Sequence, residues 1–311
     1  MTYAALNLFD EEPTVHLSVM PQEVLAALEP RPGDVFVDVT AGGGGHSEAI
    51  LESHPDVRVI AFDRDPEAVT RCRERLARFG VRARVVHLEF GEVGQWMLDN
   101  NVPRVAGLVA DLFVSSPQLD QAERGMSFRL EGPIDMRMDP TRGATALDLI
   151  ERCSQDELAD IIFVFGGERR SRRVARCIKL ALGDGKLNTT LDLRRAVVRA
   201  VGPQRVGGVD PATRTFQGLR IAVNRELDQL DALLASLPKI VRPGGVATII
   251  SFHSLEDRRV KEAFVKGPYE RLSKKPIVAS TFELDDNPRS RSAKLRAARI
   301  LDESEPSASH S

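Results

Sequence analysis

The stretch Val35–Ile50, VFVDVTAGGGGHSEAI, decides the fold. Val35–Val39 has the β-branched, apolar character of a buried strand, broken only by Asp38. Four consecutive glycines, Gly42 to Gly45, follow; then come His46 and a helical pattern from Ser47. In an open α/β sheet a glycine turn after the first strand lies at the carboxyl edge, where ligands bind. Glycine lets a backbone approach a ligand and take positive φ. Such a turn can equally be a bare strand-to-helix connection. It is not a phosphate-binding P-loop, because no Gly-Lys-Ser/Thr follows.

Outward from that turn, strand and helix patterns alternate. Met20–Leu28 reads as a short amphipathic helix and Val57–Phe62 as a strand. A helix is expected from Pro66 to about Phe79, then strands at Ala83–His87 and Val105–Ala110. Apolar runs separated by helices indicate a parallel sheet covered on both faces. After Asp111 the alternation stops. Turn-rich sequence leads into helical segments, among them SQDELADIIFVF, RRVARCIKLAL and TTLDLRRAVVRAV. VNRELDQLDALLASLPKIV then reads as one long helix, RPGG as a turn and Val246–Phe252 as a buried strand. NPRSRSAKLRAARI reads as an edge strand guarded by charge. The expected architecture is an α/β Rossmann-like sheet domain, residues 1–119 and 216–303, with an all-helical domain inserted at 120–215. Residues 1–15 are expected to be a loose arm and 304–311 a disordered tail.

Composition narrows the class. The 311 residues are 42% hydrophobic, enough for a full core, and no apolar run approaches a membrane span. The first residues lack the pattern of a signal peptide. Cys72, Cys153 and Cys177 are far apart, without CxxC spacing, so neither a disulfide framework nor a zinc site is expected, and a cytoplasmic setting is. The net charge of −2 argues against a general nucleic-acid coat, but the distribution is uneven. Glu168–Arg205 holds eleven Lys/Arg against three acids, and Asn287–Arg299 holds five against none.

The ends of the strands carry the chemistry. Asp63 closes the second strand, where an acid can accept both hydroxyls of a ribose. Phe90 follows the third strand and offers a flat apolar plate; Asp111 closes the fourth. This edge suits an adenosine that carries an amine, which favours S-adenosyl-L-methionine over NAD, as the loop is GGGG rather than GxGxxG. In ADLFVSSPQLD, Ser116, Pro117 and Gln118 put acceptors on a stiff turn. An exocyclic amine on a base is a poor nucleophile until acceptors hold its N–H groups and aim its lone pair. Methylation at cytosine C5 needs a cysteine nucleophile. None follows the fourth or fifth strand, so an exocyclic nitrogen or a ribose oxygen is the better acceptor. His253, past the fifth strand, is a further substrate-side candidate, while Ser254–Asp257 reads as a helix cap. Asp135, Arg137 and Asp139 read as an ion-paired loop rather than a metal site.

HLSVMPQEVL, VDVTAGGGGHSEAIL, DLFVSSPQLDQAERGMSFRLEGPIDMRMDP, PATRTFQGLRIAVNREL, RPGGVATIISFHSLEDRRVK and NPRSRSAKLRAARI together resemble the bacterial 16S rRNA cytosine-N4 methyltransferases, the MraW/RsmH family. The resemblance runs from about His16 to Ile300. It implies a Rossmann-like class I methyltransferase that uses S-adenosyl-L-methionine, acting in the cytoplasm on cytidine 1402 of 16S rRNA in the small ribosomal subunit. It implies no membrane and no metal, and leaves a homodimer open. The family's cofactor contacts fall on Gly44, Gly45, His46, Asp63, Phe90, Asp111 and Gln118. The chain departs from the family pattern at Phe113 (usually Gly), Glu89 (commonly Asn) and Asp210 (usually His). A methyltransferase for DNA or a protein amide, an NAD-linked oxidoreductase and a non-catalytic RNA-binding module are the competing classes. No motif supplies a hydride-transfer acid or base, and two Tyr and one Trp make no aromatic RNA platform.

Overall fold

The computed structural model describes residues 18–203 and 210–302; the expected N-terminal arm and C-terminal tail lie outside them. Five parallel strands form the heart of one sheet: β1 (Val35–Asp38), β2 (Arg58–Asp63), β3 (Ala83–His87), β4 (Val105–Asp111) and β5 (Val241–Ser251). Helices α1 (Pro21–Leu28), α2 (Gly45–Ser53), α3 (Pro66–Leu76) and α4 (Val93–Asp99) connect or precede them. A short helix, α5 (Ser116–Asp120), follows β4. Then come α6 (Ala146–Arg152), α7 (Gln155–Val164), α8 (Ser171–Gly183), α9 (Thr190–Val201), α10 (Thr213–Asn224) and α11 (Glu226–Ile240). After β5 the chain adds α12 (Ser254–Lys266), β6 (Tyr269–Arg271), α13 (Thr281–Asp286) and β7 (Lys294–Ile300). The strand order is 3-2-1-4-5-7-6, with β7 antiparallel to both its neighbours. The order reverses at β1 and β4, which puts a crevice at their carboxyl ends.

The sheet is covered on both faces, as its continuous apolar strands require. Phe36, Val59 and Ala61 pack with α1–α3 through Val24, Leu28, Ile50, Leu51, Cys72 and Leu76. Val37, Phe62, Leu108 and Ile249 face α4, α11 and α12 through Met97, Leu230, Leu237, Val260 and Phe264. A third apolar cluster belongs to the helical segment, built on Ile150, Leu158, Ile162, Val174, Leu193 and Val197.

Four expectations change. The long helix is there but starts three residues later than expected, at Glu226, because Arg225 takes a φ of 50° and separates it from α10. The helical cluster does not stop at residue 215, because Phe216 and Leu219 on the continuous α10 belong to it. NPRSRSAKLRAARI does not supply an edge strand: β7 lies between β5 and β6, and β6 forms that edge. The RPGG turn is absorbed as an irregularity in β5, where pairing with β4 jumps from Val105–Val241 to Gly107–Val246. Among the described residues no helix is long and apolar enough to cross a membrane.

Candidate active site

Gly42 and Gly44 have φ of 52° and 83°, a region strained for residues with a side chain. The Gly42 N–H donates to Asp63 Oδ2 at 2.7 Å, and the Asp65 N–H donates to Asp63 Oδ1 at 2.8 Å. The loop is thus hung on the carboxylate that ends β2. Gly44 serves packing, since a Cβ there would stand 3.2 Å from Cys72 Sγ on α3. A Cβ on Gly45 would run into Ser18 Oγ. These two glycines let the loop lie against its neighbours, and the glycine that lines the cavity is Gly42.

That cavity opens at the carboxyl edge. Thr40 and Gly42 form one wall, Asp63, Ala68 and Phe90 a second, and Asp111, Leu112, Phe113 and Gln118 a third. Met138 and Leu230 close it from the helical side. Of the residues expected to hold the cofactor, Asp63, Phe90, Asp111 and Gln118 therefore meet in one cavity. His46 stands behind it, Nε2 at 3.4 Å from Asp111 Oδ2 and Nδ1 buried without a partner among the described residues. Arg64, Met138 and Leu230 were not singled out in the sequence; they come from three segments, and no local spacing marks them.

Burial pushes the Asp63 carboxyl up to about 6, against the two backbone N–H groups that favour its charge. Asp38, beneath the loop, is likewise raised by burial, offset in part by His46 and by the Ser47 hydroxyl, which donates to it at 2.7 Å. Burial works against a charge on His46, yet its contact with Asp111 and the nearby Asp38 raise it above the ordinary imidazole range.

Gln118 stands on α5 and is held at both ends of its amide. Its Oε1 accepts from the Ser115 N–H and its Nε2 donates to Asp65 Oδ2 at 2.8 Å. Asp65 also caps α3 through the Glu67 N–H and takes Arg124 Nη2 at 2.9 Å, with Asp65 fully buried and Arg124 4% exposed. Pro117 is half-buried at the first turn of α5 and does not line the cavity; the Ser116 side chain lies outside what the structure describes. The departures all have partners. Glu89 pairs with Arg64 at 2.8 Å and accepts from Gln229. Phe113 packs on Phe252 with centroids 4.7 Å apart. Asp210 binds Arg194 at 2.8 Å. Arg137 pairs with Asp135 at 2.6 Å and Asp139 with His87 at 3.2 Å, as an ion-paired loop should.

A second cavity adjoins the first and shares Leu112, Phe113 and Glu256 with it. His253 lines it, Nε2 at 3.1 Å from Glu256 Oε1. Glu226, His253 and Glu256 bring one ligand atom each within 4.8 Å of one another. Their carboxylates already have structural work: Glu226 takes both Arg220 nitrogens at 2.8 Å, and Glu256 accepts from the Phe252 and His253 N–H groups. Neither cavity is lined by a cysteine. Cys72 is buried beneath the loop, and burial pushes its thiol up to about 12, far from a nucleophilic thiolate.

The two basic runs separate in space and in use. Arg289 binds Asp120, Lys294 and Arg296 bind Asp257, and Arg299 reaches Glu270, so the second run is largely spent inside the fold. In the first, Arg169, Arg170, Arg172 and Arg173 rim a shallow concavity beside Phe163. Arg172 is paired with Asp156; the exposed side chains of Arg169, Arg173 and Arg176 make no ion pair or hydrogen bond among the described residues.

The first cavity fits S-adenosyl-L-methionine on its chemistry. It offers a carboxylate for a ribose diol, an aromatic plate for a base and an acidic end for a cationic amine, while Gly42 brings the backbone to its wall. The chain matches the family model described as MraW methylase family over residues 13–301. It is 62% identical over 285 residues to "Ribosomal RNA small subunit methyltransferase H" of Sorangium cellulosum, covering 91% of this chain and 90% of that protein. The protein of the same name from Prochlorococcus marinus strain MIT 9303 is 52% identical over 294 residues, with 92% and 93% covered. The Nostoc protein of that name is 47% identical over 301 residues, with 96% of each covered. A sheet-edge cavity with these groups, in a sequence aligned over nine-tenths or more of its length with such relatives, is accounted for by one membership: the chain belongs to the MraW methylase family, with S-adenosyl-L-methionine as its methyl donor.

Proposed function

We propose that the chain methylates the exocyclic N4 amine of cytidine 1402 in 16S rRNA, in the cytoplasm, by direct in-line transfer. The names of its relatives support a small-subunit rRNA substrate. The observation that carries the amine is the wall between the two cavities: Leu112 and Phe113, just past Asp111, line both, and no cysteine lines either. Bound cofactor supplies an electrophilic methyl on a sulfonium. Asp63 would hold the ribose, Phe90 would offer its face to the adenine, and Asp111, steadied by His46, would hold the cationic amine. Gln118, fixed by Asp65 and Ser115, closes the site from α5. In the transfer N4 would gain the methyl and lose one proton to solvent. The helical segment, 120–215 extended through α10, is the substrate-recognition unit, its unpaired arginines meeting phosphates.

The test is incubation with labelled S-adenosyl-L-methionine and either 30S subunits or naked 16S rRNA, followed by nucleoside analysis. Label in N4-methylcytidine at a single position is expected. Label in 5-methylcytidine, or in a 2′-O-methylated nucleoside, would overturn the reading.

A further inference from the structure

Pro211–Leu227, PATRTFQGLRIAVNREL, gives the first cavity only Glu226. Its helix serves the second cavity. Thr213, Phe216, Gln217 and Arg220, at i, i+3, i+4 and i+7 of α10, all line it. Across from them stand Leu112, Phe113 and Phe252 at the sheet edge. Two aromatic pairs contribute to the lining: Phe113–Phe252 at 4.7 Å and Phe128–Phe216 at 5.3 Å. Four of the chain's 13 phenylalanines thus gather around a recess beside the methyl-transfer end.

The Arg220 and Glu256 side chains there are already engaged. Arg220 is bound to Glu226, and Glu256 holds the Phe252 and His253 N–H groups. Unengaged beside them are the His253 ring nitrogens, buried without a hydrogen-bond partner among the described residues, and the Gln217 amide, which is half-buried on the wall and makes no side-chain hydrogen bond among the described residues. A planar amide offers one acceptor and a donor side by side. Cytosine presents the complement on its Watson–Crick edge, an N4–H donor beside the N3 acceptor. The acceptor–donor pattern is the one through which Gln reads adenine bidentately. Enzymes that act on a base read the extruded ring by this edge and stack it between apolar side chains.

We propose that the second cavity takes the extruded cytosine and that Gln217 holds its edge, Oε1 accepting one N4–H and Nε2 donating to N3. This rests on the cytosine-N4 reading. Gln217 is a substrate-positioning residue: with one N4–H held, the amine presents its lone pair toward the shared wall and the methyl. Its contact with the base is direct, so both rate and protonation chemistry report on it.

Gln217→Ala keeps a strong helix former in α10. It is expected to slow single-turnover methylation of 30S subunits or 16S rRNA roughly tenfold to a hundredfold, the worth of one bidentate base contact. Cofactor affinity by calorimetry and the thermal midpoint should stay at wild-type values. Gln217→Glu gives a sharper signature. Ionised, the carboxylate repels N3; protonated, its O–H replaces the amide donor. The variant's rate relative to wild type should rise as pH falls from 8 to 5.5. A Gln217→Ala rate within twofold of wild type, or a Gln217→Glu profile parallel to wild type, overturns the assignment. Product analysis of the wild-type enzyme separates the two failures. If the product is not N4-methylcytidine, the chemistry is wrong; if it is and Gln217 is indifferent, only this placement is wrong.

Discussion

Asp63 is caught between two demands. On the proposed reading its carboxylate must be charged to accept a ribose diol, yet burial raises it to about 6 while it holds the Gly42 and Asp65 N–H groups. The sign follows directly. A raised value means the cofactor-free protein binds a proton at pH where a free carboxyl would not. A ligand that needs the charged form must displace that proton, so affinity falls as pH drops through about 6, by up to tenfold per unit. Calorimetry from pH 8 to 5 measures this; a flat profile would show that Asp63 does not touch the ligand. Asp63→Ala removes the charged acceptor altogether and should weaken cofactor binding by about 1.5–3 kcal/mol, an order of magnitude or more. At this scale the sequence was informative where one residue closes one strand. Asp63, Phe90 and Asp111 follow from strand ends alone, because the carboxyl edge of a sheet is a place sequence can locate. Gly44 and Gly45 were assigned to the ligand; a Cβ on either would meet Cys72 or Ser18, and the glycine that lines the cavity is Gly42, since consecutive glycines do not say which one lies where. Gln217 was not legible, for its partner wall lies a hundred residues earlier in the chain.

Among elements, α3 and α5 are tied together through one buried ion pair. Asp65 caps α3, accepts from Gln118 on α5 and neutralises Arg124. Asp65→Ala would leave Arg124 buried without its counter-charge, at a cost of about 3–5 kcal/mol. Urea unfolding should show the loss, with a matching fall in cofactor affinity as α5 loosens. A change below about 1 kcal/mol would mean that the carbonyls of Arg137 and Met138, which also accept from Arg124, suffice. The helix α8 supports a prediction of a different kind. Arg169, just before it, and Arg173 and Arg176 on it are exposed and unpaired among the described residues, whereas Arg172 already has Asp156. Replacing the three unpaired arginines by Ser should reduce the salt slope of RNA binding by about 2–2.7, at roughly 0.7–0.9 per phosphate contact. Cofactor binding should not move. An unchanged slope would make this face solvated surface. The first four strands were read to within a residue at each end because β-branched runs are local signals, whereas β5 starts earlier than Val246, at Val241, and the short β6 was not read. The break at Arg225 was missed because an arginine with positive φ leaves no mark in composition. The interior place of β7 was missed because its charges look like edge protection; instead Lys294 and Arg296 bind Asp257.

The whole molecule decides the chemistry by what it keeps away from the transfer site. Three cysteines are spread over the chain: Cys72 in the sheet's apolar core, Cys153 and Cys177 packed against the helical cluster. Burial raises Cys72 to about 12, and burial raises Cys153 as well, so neither is poised as a thiolate. A route through C5 needs a cysteine that attacks the ring and later leaves it, and neither cavity is lined by one. Two consequences are measurable. Replacing Cys72, Cys153 and Cys177 together by Ala or Ser should leave substantial methylation of 16S rRNA. Any loss should track the thermal midpoint, because Cys72 fills the space against Gly44 and its truncation costs packing. Cys72→Ala alone separates these effects, lowering stability by about 1 kcal/mol while turnover per folded molecule stays level. RNA carrying 5-fluorocytidine at the target should be released and not captured, since no covalent adduct forms in a direct transfer. A denaturation-resistant enzyme–RNA adduct, or abolished activity in a folded triple variant, would place a thiol in the reaction. It would also require a movement that brings a core cysteine some distance to the sheet edge, and that movement would then have to be found.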